Sequence, residues 1–425
     1  MSVFHFIANS KCFDLEVTGN DEHGSNVSKY WLLSPFVTYR DEEKDIASVA
    51  YFQQNTEELR DKVSDLVKKL ATINPQIHRL RTYFESELKP NEWFFIAVDE
   101  TLNQAQIDQI LIELLSIDAD EQQKEQANKT LEVLQKLRSV YDIKSYGEFT
   151  KEWVGEPDKR KRVCRYCHRS MPEVTFKKVA HTISEALGNK CIKTNDECDE
   201  CNQFFGNTIE QDFLSVFDIP RLFFGIKKKN GVPHKFVGEN YAIEKDDVGK
   251  IKINYRMKKG EQILSDEEIW DRLMLTPKRS FPEQNIYKTL CKYVFGVLDK
   301  ETLKSFERTR TWLLGRSVET KLPKLSLFYH PHVMEHPRIM VYIRKTEARN
   351  DLPHVVAEIR IINLAFIVIL PFSDKDVCLY DTEEDYMRFW HFFDIYSALP
   401  GWLIGDCNGL TCNQPKVALK IKPRT

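Results

Sequence analysis

Two Cys-x-x-Cys motifs in one stretch of the chain, at residues 164–167 and 198–201, do most to constrain how it folds. Each such turn directs two sulfur atoms toward one point, and two turns match tetrahedral zinc with bonds of about 2.3 Å. Cys164, Cys167, Cys198 and Cys201 are therefore predicted to bind one structural zinc ion, because four thiolates leave no open coordination position. Two alternatives stay open: His168 replaces one thiolate, or one pair serves as a redox dithiol, which needs a flanking strand and helix.

The segment between the two motifs carries a single histidine after a strand-like pattern. Residues Val174 to Val179 alternate with a period of two, which predicts a strand that ends at His181. The second motif leads into a helical pattern, and Asn202 directly follows the last cysteine in its first turn. We therefore expect zinc to hold a helix that carries an asparagine against a strand that carries a histidine.

The order and spacing of these residues, over residues 164–210, resemble the zinc-bound subgroup of the HNH endonuclease family. The resemblance implies a ββα-metal fold in which His181 is the general base and Asn202 binds a catalytic Mg²⁺ or Mn²⁺ ion. In the family a central asparagine holds the loop and orients the base; Asn195 is assigned that role here, and Asn189 competes for it. The implied reaction is hydrolysis of phosphodiester bonds to 5′-phosphate and 3′-hydroxyl ends. Such proteins often occur in mobile elements and in prokaryotic antiviral defence.

The sequence departs from the family pattern at two positions. Ala180 stands where the family often has a metal-binding carboxylate, and Ser184 replaces a common proline. The catalytic metal then relies on Asn202 together with substrate phosphate and water, or on another carboxylate. The nearby candidates, each otherwise a helix cap or a surface charge, are Glu197, Asp199 and Glu210. A degenerate, inactive domain is the alternative.

The charge around the cysteine motifs differs from that of the whole chain. The formal net charge is -3, whereas residues 158–190 hold nine basic and three acidic side chains. Such a patch predicts salt-dependent, sequence-independent contacts with phosphates. The predicted nucleic-acid-binding residues are Lys159, Arg160, Lys161, Arg162, Arg165, Lys177 and Lys178. A solvated charge run is the alternative for residues 159–162, and Lys227 to Lys229 form a weaker second candidate.

The patterns along the chain predict a multidomain α+β protein with three regions. Within these regions, residues 59–73 show the apolar seam of a helix, residues 91–100 a strand, residues 233–257 a hairpin and residues 281–315 two amphipathic helices. Residues 1–155 are expected to be mostly helical and to regulate the protein or to bind a partner, which is another protein or a second copy of the chain. Residues 156–215 are expected to form the HNH nuclease domain, and residues 216–425 an α+β domain. The N-terminus does not read as a signal peptide. The apolar segment from Ile361 to Phe372 is too short to span a bilayer and predicts one buried strand. With cysteines expected to be reduced, the predicted location is the cytoplasm, without a membrane partner.

Together these features predict a metal-dependent endonuclease that acts on double-stranded DNA. Two alternatives remain at this point: a non-catalytic zinc-dependent nucleic-acid-binding module, and an interaction protein in which the zinc domain is only a scaffold.

Overall fold

The chain divides into two compact units, Met1–Lys136 and Leu137–Thr425. The computed structural model describes residues 2–17, 29–41, 46–72, 75–102, 104–147, 152–226, 235–238, 241–245, 250–255, 274–275, 280–330, 333–334, 336–345, 349–413 and 417–418. Within these residues, no helix has both the length and the apolar character that crossing a membrane requires.

The first unit combines helices with a four-stranded antiparallel sheet of strand order β2-β1-β6-β5. The sheet consists of β1 (Ser2–Ala8), β2 (Cys12–Val17), β5 (Phe52–Gln54) and β6 (Trp93–Val98). Two further strands, β3 (Val37–Asp41) and β4 (Ile46–Val49), form a separate antiparallel pair. Its helices are α1 (Glu57–Leu70), α2 (His78–Thr82), α3 (Gln104–Ser116) and α4 (Glu121–Val140), the last ending in the second unit. The predicted apolar seam of α1 is confirmed, since Leu59, Val63 and Leu66 are buried. Of the sheet, only β6 was predicted.

The second unit is built around a six-stranded antiparallel sheet of order β20-β16-β19-β18-β17-β7. These strands are β7 (Tyr141–Tyr146), β16 (Leu325–Tyr329), β17 (Arg338–Arg344), β18 (Val355–Ile361), β19 (Leu364–Ile369) and β20 (Leu403–Gly405). The long helix α8 (Gln284–Val297) packs against β19. Two short helices, α9 (Lys300–Leu303) and α10 (Glu307–Leu313), come after α8 in the chain, and α11 (Glu383–Phe392) and α12 (Asp394–Ser397) come after β19. The single strand predicted for residues 361–372 is wrong in extent, because Ile362 turns the chain with a φ of 58° and separates β18 from the fully buried β19.

A smaller antiparallel sheet, β11-β12-β13, confirms the predicted hairpin pattern. Its strands are β11 (Lys235–Val237), β12 (Tyr241–Lys245) and β13 (Ile251–Tyr255). Two further antiparallel pairs are formed by short strands. In one, β14 (Met274–Leu275) pairs with β22 (Val417–Ala418), and in the other, β15 (Phe281–Pro282) pairs with β21 (Cys412–Asn413). The second basic candidate, Lys227 to Lys229, lies outside the described residues.

The cysteine-containing segment forms a three-stranded sheet followed by helices. The sheet has the order β8-β10-β9, from β8 (Glu152–Val154), β9 (Ala180–His181) and β10 (Ile192–Thr194). The helices are α5 (Asp199–Asn207), α6 (Ile209–Val216) and α7 (Asp218–Phe223). This segment shares one core with the rest of the second unit: the ring of Phe213 lies 6.0 Å from that of Phe366. The predicted α+β class is confirmed, and the three-part functional division stays a prediction.

Candidate active site

The structure brings the four predicted cysteines together. Their sulfur atoms all lie within 4.8 Å of one another, and the Sγ atoms of Cys167 and Cys198 are 3.7 Å apart. Two sulfurs of a tetrahedral zinc site with bonds of about 2.3 Å lie about 3.8 Å apart, so the cluster fits zinc. The backbone N–H groups of Cys198 and Cys201 point at the sulfurs of Cys164 and Cys198 at 3.5 Å. His168 is not part of the cluster; its half-exposed ring faces Glu307 at 3.7 Å.

The cluster fixes the start of the helix that carries Asn202. The side chain of Cys198 caps α5, and the backbone N–H of Asn202 donates to the carbonyl oxygen of Cys198 at 2.9 Å. Asn202 itself is half-buried in the first turn of this helix. A zinc ion bound by cysteines on both sides of the segment would therefore set the position of the Asn202 amide.

The predicted strand from Val174 to His181 is wrong except for its last two residues. Only Ala180 and His181 pair with β10, and the preceding residues are irregular. The physical reason lies in Asp199, whose carboxylate accepts hydrogen bonds from the backbone N–H groups of Lys177 and Lys178 at 3.0 and 2.8 Å. A side chain thus satisfies the donors that a strand partner would take. The same contacts tie the approach to His181 to the first turn of α5.

Asn189, and not Asn195, holds the loop between β9 and β10. The Asn189 side chain donates to the carbonyl oxygens of Ile183 and Ile192 and accepts from the backbone N–H groups of Cys191 and Ile192. Asn195 is also buried, but its Oδ1 accepts a hydrogen bond from the Arg162 guanidinium at 2.9 Å. We therefore move the loop-holding role from Asn195 to the competing Asn189.

Each of the three carboxylates considered as metal ligands, on Asp199, Glu197 and Glu210, already interacts with another group of the fold. Asp199 holds backbone N–H groups, as described above. Glu210 lies 3.0 Å from the Nζ atom of Lys292, and buried Glu197 lies 3.5 Å from the same ammonium. Burial raises the pKa of Glu197 to about 7, since one ammonium does not offset two buried carboxylates. Ala180 is 2% exposed and offers no ligand atom.

Lys292 connects this carboxylate pair to the strand that carries His181. It lies on α8, outside the cysteine-containing segment, and its Nζ atom donates to the carbonyl oxygens of His181 at 3.4 Å and Thr182 at 3.3 Å. Burial alone would lower the pKa of Lys292, but the carboxylates of Glu197 and Glu210 raise it, so the ammonium is charged at neutral pH. Lys292 is not among the site residues predicted from the sequence, although a lysine inside the apolar run "TLCKYVFGV" was an available signal.

The predicted basic surface divides into exposed and buried members. Lys159, Arg160, Lys161, Lys177 and Lys178 are exposed. Arg162 is only 8% exposed and donates to the carbonyl oxygens of Glu156 and Pro157 as well as to Asn195.

Arg165 is likewise turned into the fold. It is 6% exposed, pairs with buried Asp196 at 2.6 Å and donates to the carbonyl oxygen of Phe295 at 2.8 Å. The prediction that Arg162 and Arg165 bind phosphate is therefore withdrawn, because both guanidinium groups satisfy buried acceptors of the fold.

Residues 164–218 match the family model of the HNH endonuclease. The chain thus contains an HNH endonuclease module, and the cluster of four cysteines fits the zinc-binding form of that module. No curated protein and no solved structure matches the chain.

Proposed function

We propose that this protein is a metal-dependent endonuclease that hydrolyses phosphodiester bonds of DNA. The observation that carries the proposal is the contact between the two segments of the matched module that lead to His181 and to Asn202. Asp199, three residues before Asn202, is hydrogen-bonded to Lys178, three residues before His181, and the cysteine cluster anchors the same helix. A role in prokaryotic defence or in a mobile element belongs to the proposal and rests on the resemblance alone.

His181 would act as the general base. A neutral imidazole accepts a proton from a water molecule and so makes that water a better nucleophile. The water oxygen bonds to phosphorus, the bond from phosphorus to the 3′-oxygen breaks, and solvent protonates that oxygen. The products are 5′-phosphate and 3′-hydroxyl ends.

Asn202 would be the protein ligand of the catalytic Mg²⁺ or Mn²⁺ ion. Its amide oxygen is a neutral, hard ligand of the kind that such ions accept. The ion would stabilise charge on the phosphate and leaving oxygens. Because Ala180 provides no carboxylate and Glu197 and Glu210 pair with Lys292, the protein supplies few ligands and substrate phosphate supplies others.

The exposed basic residues would hold the substrate beside this site. Lys177 and Lys178 lie shortly before His181, and Lys159, Arg160 and Lys161 form a short 3₁₀ turn that Asp158 caps. Their charges would neutralise phosphates of a duplex without reading its sequence.

The test compares cleavage of plasmid DNA by purified wild-type protein and by His181→Ala, with Mg²⁺ or Mn²⁺. We expect the variant to cut about 10² to 10⁴ times more slowly, with unchanged zinc content and DNA affinity. His168→Ala, which removes an exposed histidine turned away from the cluster, is the matched control and should cut normally.

A second pair of variants tests the metal ligand. Asn202→Ala should lose activity at every metal concentration, whereas Asn202→Asp, which keeps a ligand oxygen, should retain part of it. A wild-type protein that binds DNA but never cuts it would favour the non-catalytic alternative. Normal cutting by His181→Ala would show that the base lies elsewhere.

A further inference from the structure

One row of side chains crosses the small sheet and ends at His181. Trp153 on β8 is the register partner of Lys193 on β10, and Lys193 is the register partner of His181 on β9. Register partners on neighbouring strands lie on the same face of a sheet, and strands are about 4.8 Å apart. Trp153 and His181 therefore stand on one face with their Cα atoms about 10 Å apart.

The burial of the side chains shows that this row lies on the outer face of the small sheet. The adjacent row, Val154, Thr194 and Ala180, is half-buried or buried, and Val154 packs against the core. In the outer row, Lys193 is half-buried and Trp153 is 51% exposed. The row therefore faces away from the core.

The exposed indole is already arranged as a stacking platform. The ammonium of Lys193 lies 4.8 Å from the centre of the Trp153 ring, which places a cation over one ring face. An aromatic ring has two faces, and the exposure of Trp153 is consistent with an accessible second face.

A basic cavity of about 460 Å³ adjoins Trp153. Its lining includes Lys159, Lys177, Lys178 and Val179, and no described residue of that lining is acidic. The volume lies within the range of about 300–1,000 Å³ that suits small organic ligands. Positive charge beside an aromatic wall is the combination that single-stranded nucleic acids occupy.

We propose that Trp153 and Lys193 form, with this cavity, a subsite for an unpaired nucleotide next to the scissile phosphate. The indole stacks on the base, and Lys193 and the cavity lysines contact the flanking phosphates. An indole ring reaches the face of a base only where that base is unstacked from its neighbour. The preferred substrate is then DNA that is locally unpaired at the cut. This assignment rests on the proposed function, because His181 sets the position of the scissile phosphate.

Fluorescence anisotropy tests the subsite in the His181→Ala background, without added Mg²⁺, so that cutting does not interfere. The labelled probes are a 20-base-pair duplex, the same duplex with a three-nucleotide bubble, and the single strand. Trp153→Ala should weaken binding of the bubble and the single strand roughly 5- to 100-fold and leave duplex binding within about twofold. Trp153→Phe, which keeps a ring, should retain most of the preference. Trp31→Ala removes a tryptophan of similar exposure, 53%, and should change nothing.

A second measurement keeps the test decisive even where a variant is unstable. Binding of the single strand should quench tryptophan fluorescence in the parent protein, and Trp153→Phe should lose that quenching. Unchanged quenching, or an unchanged preference for the bubble in Trp153→Ala, would overturn the subsite.

Cleavage by the protein with His181 intact separates the two proposals. Cutting of the bubble probe without any effect of Trp153→Ala on binding would refute the subsite and keep the nuclease. Loss of the binding preference in a Trp153→Ala protein whose parent never cuts would keep the site for an unpaired nucleotide, but would refute the nuclease and the place of that site beside a scissile phosphate.

Discussion

Replacement of Lys292 by methionine should destabilise the unit Leu137–Thr425 more than any comparable change in the same helix. The lysine side chain is 1% exposed and holds two carboxylates and two backbone carbonyl oxygens. Methionine fills a similar volume but provides no charge and no donor. Removal of one partner of a buried ion pair costs about 3–5 kcal/mol, because the remaining charge is left buried and uncompensated.

The carbonyl contacts add little to this figure, since their distances of 3.3 and 3.4 Å exceed those of strong hydrogen bonds. At about 2.1 cal/mol/K per residue, the unfolding entropy of the unit Leu137–Thr425 is about 0.6 kcal/mol/K, so the expected fall in Tm is about 5–8 °C. Thermal unfolding followed by circular dichroism, with zinc in slight excess, measures it.

Lys288→Met is the matched control. Lys288 lies one turn earlier in α8, and its ammonium sits 5.1 Å from the centre of the Trp312 ring. Loss of that cation–π contact should cost about 0.5–1 kcal/mol. The double variant Lys292→Met with Glu210→Gln should recover part of the loss, because it removes one of the stranded charges. If Lys292→Met melts no lower than Lys288→Met, the carboxylate pair does not depend on this ammonium and the reasoning fails.

Two further predictions concern zinc and pH. Cys198→Ser should reduce bound zinc well below one equivalent and unfold the HNH module, since structural zinc contributes on the order of 10 kcal/mol in small modules. Metal analysis measures the bound zinc, and Cys12→Ser, which changes an exposed cysteine outside the cluster, is the control. A full equivalent of zinc in Cys198→Ser would contradict the prediction. His354 is buried, and burial lowers its pKa to about 4. The folded state therefore binds fewer protons than the unfolded state, and the stability this provides is present above about pH 6.5 and lost as the pH falls toward 4. Relative to His354→Leu, the wild type should lose about 2 kcal/mol of unfolding free energy between about pH 7 and about pH 5 in urea titrations, and a constant difference would disprove this.

The parts of the site that sequence reasoning reached are those set by short-range chemistry. The Cys-x-x-Cys spacing by itself directs two sulfurs toward one point, so the cluster could be predicted before its neighbours were known. The helix after the second motif was also predictable, because Cys198 and the acidic residues that follow it suit a helix N-terminus. The apolar seams of α1 and α8 were predictable as well, because apolar residues at spacings of three and four lie on one face of a helix.

The roles of the basic residues could not be predicted from the sequence, because they depend on contacts with residues that are distant in the chain. Arg162 and Arg165 look like their neighbours Lys159 and Lys161 in the sequence, yet both are buried. What separates them is a set of acceptors that are distant in the chain: Asp196 and the carbonyl oxygen of Phe295 for Arg165. A guanidinium has several donors in a fixed plane and can satisfy such acceptors where a lysine would not. A count of basic residues along a stretch of sequence therefore overstates how many of them are exposed and can contact DNA.

Lys292 shows how the site extends beyond the motif that revealed it. It lies 111 residues after His181, on a helix whose pattern indicates only packing against a core. A buried lysine requires buried acids, and Glu197 and Glu210, first considered as metal ligands, are those acids. The same ammonium contacts the carbonyl oxygens of His181 and Thr182, so it joins the two carboxylates to the strand that carries His181. Hence the cysteine cluster alone does not fix the histidine: the cluster anchors the start of the helix that carries Asn202, and Lys292 on α8 contacts the strand that carries His181.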